Sequence, residues 1–96
     1  KNIKDAYVFI GQVNLRELNF NESLKNFNAA LMLDSRDKES LIGIASVYIE
    51  LEKSKDALEY ASKGVSLYPR VVEFRLHEAF IYENMLRQYE VALVKY

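Results

Sequence analysis

No cysteine occurs anywhere in the chain, and histidine and proline occur once each, as His77 and Pro69. Without thiols there can be no disulfide framework, thiolate zinc site or cysteine nucleophile, and the composition fits a reducing, intracellular (cytoplasmic) compartment. His77 has Glu73 and Glu78 as helix neighbours but no second histidine to complete a metal site, so it reads as a surface residue. Ser40, Ser46, Ser54 and Ser62 have no histidine at a useful spacing, which leaves nucleophilic catalysis unsupported. Glu50 with Glu52, and Glu78 with Glu83, read as solvated helix faces rather than acid–base couples. Gly11, Gly43 and Gly64 are too scattered for a phosphate loop.

Charge of one sign is lacking too. Thirteen Lys and Arg stand against fourteen Asp and Glu, so nothing draws the chain to nucleic acid or to an anionic membrane. No apolar run approaches the roughly 20 residues that cross a bilayer. The longest, 29–33 and 91–94, are pieces of amphipathic helix. Residues 1–5 are charged and no hydrophobic stretch follows, so there is no signal-peptide pattern. Position 1 is not Met, and the sequence reads as a segment of a longer chain. The expectation is a non-enzyme that needs no cofactor and no metal.

What is present is a repeat. Half the residues are apolar and 28% charged, an ordinary globular balance for one small domain of 96 residues. Shifted by 34 positions, Tyr7 falls on Leu41, Ile10 on Ile44, Gly11 on Ala45 and Leu24 on Leu58. Ala30 likewise falls on Gly64, Leu31 on Val65, Leu33 on Leu67 and Ser35 on Pro69. Large residues meet large ones and small meet small.

A first helix spans about 4–17, with Tyr7, Ile10, Gly11 and Asn14 at three- and four-residue steps. Asn19 and Glu22 form a capping-box pattern that opens a second helix, carrying Leu24, Phe27, Ala30 and Leu31 to about residue 33. Residues 34–37 are a polar turn with Asp37 as the next cap. A third helix over 38–51 turns Leu41, Ile44, Ala45 and Tyr48 inward. Ser54 caps a fourth helix, which Pro69 ends. Gly11 and Gly64 inside helices imply that a neighbour passes too close for a side chain. The aromatics Tyr7, Phe20, Phe27, Tyr48 and Tyr82 fall at packing steps.

These residues resemble those of the tetratricopeptide repeat family. The first unit carries the resemblance in Tyr7, Ile10, Gly11, Phe20, Ser23, Leu24, Phe27, Ala30, Leu31, Leu33 and Asp34. The second carries it in Leu41, Ile44, Ala45, Tyr48, Ala57, Leu58, Gly64, Leu67 and Pro69. The resemblance implies an all-α domain, a right-handed superhelical stack of antiparallel helix pairs with about two and a half repeats. Their bounds are about 4–37, 38–71 and a partial, divergent 72–96. In the third unit Ala79 and Tyr82 keep the offset, but Tyr89, Glu90, Ala92 and Leu93 resemble the start of a second helix one residue late. An insertion in a turn at 86–88 is the preferred explanation, and a rotated fifth helix the alternative. Arg75 and Glu78 stand where earlier units are apolar, and either pair with each other or lie exposed.

In such stacks the first helix of each unit lines a concave face that binds peptides or helices. The expected lining is Val8, Phe9, Gln12, Leu15, Arg16, Glu39, Ile42, Gly43, Ser46, Ile49, Glu50, Leu76, His77 and Phe80, with Asp5, Glu73, Glu83 and Asn84 beside them. So much exposed apolar surface calls for a cover. A protein or peptide partner with an apolar or basic segment is the favoured one. The alternative is a longer repeat array or homo-oligomer, in which the groove is covered by the same chain or a second copy. RNA-reading helical repeats need cationic faces, and this one is apolar or acidic, so RNA binding is the poorer reading. Relatives that grip acidic heat-shock chaperone tails use Lys, Arg and Asn at places held here by Val8, Gln12, Gly43, Glu73 and His77, so such tails are disfavoured.

Overall fold

The computed structural model describes residues 2–95, apart from the side chains of 92, 94 and 95. Five helices, α1 (Ile3–Arg16), α2 (Phe20–Leu33), α3 (Lys38–Glu50), α4 (Ser54–Leu67) and α5 (Val72–Lys95), account for nearly all of it, with no strand among the described residues. The 34-residue period reappears in the backbone. Leu18 (φ 61°) and Glu52 (φ 59°) are both left-handed. Around them the Asn19 amide donates to the Asn14 carbonyl (2.8 Å) and the Lys53 amide to the Tyr48 carbonyl (2.9 Å). One reversal is thus built twice, although neither left-handed residue is the glycine that such a position favours.

α1 and α2 run antiparallel. Lys4 meets Asp34 and Asp37 at one end, and the Asn26 amide donates to the Asn14 side-chain oxygen (3.0 Å) nearer the other. α3 touches α1, α2 and α4, and α5 touches α3 and α4, so α1, α3 and α5 form one layer with α2 and α4 behind it. Side-chain caps open α1 and α3. Asn2 accepts from the Asp5 amide (2.8 Å), and Asp37 accepts from both the amide (2.9 Å) and the hydroxyl (2.7 Å) of Ser40. The side-chain caps expected at Asn19 and Ser54 are not used. Asn19 makes no cap bond, and Ser54 is already the first helical residue. The backbone bonds of the reversal fix the entry of α2 and α4 instead.

The core is a set of rings seated on glycines. Phe27 of α2 is fully buried between Gly11 of α1 and Gly43 of α3, and a Cβ on Gly11 would lie 2.9 Å from its ring. Val8, Ala30, Ile44 and Val47 complete that cluster, and Ala57, Ala61 and Ile81 form a second one toward α5. Phe74 of α5 sits on Gly64 of α4 and stacks on Tyr68 (centroids 6.3 Å apart).

The third unit departs from the sequence reading. No turn interrupts 86–88: α5 runs unbroken for 24 residues. The register needs no insertion either, because the buried Phe74 and Ile81 stand 34 residues after Ser40 and Val47, which are buried too. Glu78, at the place of Ile44, accepts a hydrogen bond from the Ser62 hydroxyl of α4 (2.8 Å), while Arg75 is exposed, so the two do not pair. Leu86, Arg87 and Gln88 are all good helix formers, with no glycine, asparagine or proline to end the helix. The long rod stretches the molecule to 54 × 29 × 18 Å.

Candidate partner-binding groove

Helical spacing on α1 and α3 turns Gln12, Leu15, Arg16, Glu39, Ile42, Gly43 and Ser46 toward one another, and they surround a hollow of about 330 Å³ behind which Phe27 lies buried. A side chain at Gly43 would collide with Phe27, so the helix stays bare there and the ring packs fully buried beneath it. Leu15 and Ile42 are half-buried in the walls, and Arg16 and Glu39 stand free at the rim. Phe9, at 63%, Leu76 and Phe80 are exposed apolar residues.

Two of the expected lining residues belong elsewhere. Val8 is buried in the core cluster with Phe27 and offers a ligand nothing. Ile49 is half-buried and packs on the Ala57–Ala61–Ile81 cluster. It also borders a second hollow of about 390 Å³, whose walls include Ile81, Asn84, Arg87 and Val91. Glu50, Glu73 and Glu83 are exposed. Sequence reasoning missed one participant, while its assignment of Phe27 to packing agrees with the ring's full burial between two glycines. Arg87 was assigned to a turn, but it lies on helix one turn after Glu83 and pairs with it at 3.6 Å. The signal was the uninterrupted run of helix formers through residue 88.

His77 stands at the α3–α5 joint rather than free on the surface. Its Nε2 is 3.4 Å from the Ser46 hydroxyl, and its buried Nδ1 has no partner. Burial pushes its pKa below the ordinary imidazole value, and the nearby Glu73 carboxylate only partly opposes this. No group of three or more His, Cys, Asp or Glu side chains capable of holding a metal occurs among the described residues. No helix there is long and apolar enough to cross a membrane. What the arrangement offers is shape and polarity: apolar walls, amide and hydroxyl groups at Gln12 and Ser46, and one charge of each sign, Arg16 and Glu39, at the rim. No protein-family model and no curated protein sequence matches the chain.

Proposed function

We propose that this chain is a non-catalytic interaction scaffold of the tetratricopeptide-repeat kind, a superhelical stack whose α1–α3–α5 face holds a partner's segment. The observation that carries this reading is the hollow between α1 and α3 walled by Leu15 and Ile42, together with the exposed apolar side chains Phe9 of α1 and Leu76 and Phe80 of α5. Burying such side chains contributes about 1.5–3 kcal/mol each, enough for a short segment to bind through a few anchors. Asp5, Glu39, Glu50 and Glu73 border this face against Arg16, while the charge of Glu83 is met by Arg87. The ligand is therefore an apolar or amphipathic segment, extended or helical, with basic flanks. Acidic C-terminal tails would meet hydrocarbon and like charge. A displayed peptide library panned on the domain tests this, with basic amphipathic sequences as the expected result. Enrichment of acidic tails would overturn it.

A further inference from the structure

α5 leaves open the face that the first two units cover. Ala79 is exposed, whereas its equivalents at the 34-residue period, Ala45 and Gly11, are both buried. Tyr82 is 51% exposed. Its equivalents are engaged: Tyr48 stacks on Tyr60 of α4 (centroids 5.9 Å apart) and Asn14 is bonded to Asn26 of α2. Leu86 corresponds to the left-handed Leu18 and Glu52, yet it is helical and 64% exposed. So the reversal that would start a covering helix does not occur. Residues 89–93, which resemble the opening of α2 in Phe20, Ser23 and Leu24, continue along the rod. One helix thus carries both an uncovered face and the segment suited to cover one, and a straight helix cannot fold onto itself.

We propose that two copies of the chain pair through this part of α5, each tail lying antiparallel on the outward face of the other copy, in the place that α2 and α4 take in the first two units. Tyr82, Leu86, Tyr89 and Leu93 follow one another at steps of four, three and four residues, the spacing that keeps a stripe turned toward a partner helix. All four are more than half exposed. A two-fold axis between Leu86 and Tyr89 sets Leu86 against Tyr89 of the second copy and Tyr82 against its Leu93, so every contact is made twice. The occupant is a second copy because the covering sequence belongs to this chain. The pairing uses a different face from the groove and stands independently of it.

Light scattering over a concentration series tests the pairing. The mass should rise from the 11.2 kDa of one chain to twice that value. Tyr89→Glu together with Leu93→Glu should weaken association by at least roughly tenfold with helicity unchanged, since both side chains are exposed in the single chain. Leu86→Gly supplies the residue that a left-handed reversal favours, lets the tail fold back on its own α5, and should yield a monomer. A parent chain that stays monomeric throughout would overturn the proposal. So would a dimer indifferent to the Tyr89→Glu, Leu93→Glu pair.

Discussion

Phe74 lies on Gly64 so closely that a β-carbon on the glycine would fall inside the ring's own volume. This fit joins α5 to α4 and lets Ile81, two turns on, reach the Ala57–Ala61 cluster. Two effects compete when Gly64 becomes alanine. The helix interior gains up to about 1 kcal/mol in propensity. Overpacking against a fully buried ring costs about 1–3 kcal/mol. The collision wins, because Phe74 is fully buried and the clash reaches Cγ at the base of its ring, which the far end of the side chain cannot relieve by swinging aside. Gly64→Ala should lower the urea midpoint, and an unchanged or raised midpoint would show that the ring moves aside freely.

Asp37 gives the fold an acid limit. Burial opposes its ionisation, but hydrogen bonds from Lys4 Nζ (2.8 Å) and from the hydroxyl and amide of Ser40 outweigh this and hold its pKa below the ordinary 3.8. A depressed folded pKa means that its stabilisation is complete above about pH 3.8 and is lost as pH falls through the lower folded value. Lys4 is raised by the same contact, so it stays charged throughout that window. Asp37→Asn should therefore be less stable than the parent at pH 7, and the gap should close as pH falls through the folded value below 3.8. Stability curves that stay parallel through the acid range would contradict this role.

The first two units were legible in the sequence because their information is local. Large and small residues alternate at a helical period, Asp37 precedes Ser40 by one cap length, and Pro69 stops α4. The seating of Phe27 was not legible, since it joins residues 16 positions apart on three helices. The straightness of α5 was misread for the opposite reason. The similarity of Tyr89, Ala92 and Leu93 to a second helix was given more weight than the local sequence Leu86-Arg87-Gln88, where nothing forces a turn. Local propensity decided there, because no covering contact repays the left-handed residue that a reversal needs.

His77 makes the α3–α5 joint sensitive to mild acid. Its pKa is depressed by burial below the ordinary 6.5, with Glu73 pulling weakly the other way and the uncharged Ser46 facing it from α3. The sign follows from linkage. The neutral ring is favoured in the folded chain, so its contribution is complete above about pH 6.5 and is lost as pH falls through the folded value. The thermal midpoint should decline between pH 7 and pH 5, and His77→Gln should flatten that decline. If the variant keeps the parent's slope, the loss arises elsewhere.

The groove can be tested apart from the fold, because its two kinds of residue should fail in different ways. Phe9 and Phe80 are exposed, so glutamate in either place should leave helicity intact while weakening a bound basic amphipathic peptide by at least about tenfold. Ile49 is unsuited to this test: it packs on the core, and a charge there would lower stability as well. Glu39 and Glu50 act at longer range. Both are exposed and flank the apolar walls, so they draw a cationic ligand in before it docks. Glu39→Lys with Glu50→Lys should slow association by roughly tenfold at low salt and flatten its salt dependence, with little change in the dissociation rate. Stopped-flow mixing at two ionic strengths separates these outcomes. A slowed release with unaltered association would mean that the carboxylates touch the ligand directly, and the steering role would be lost.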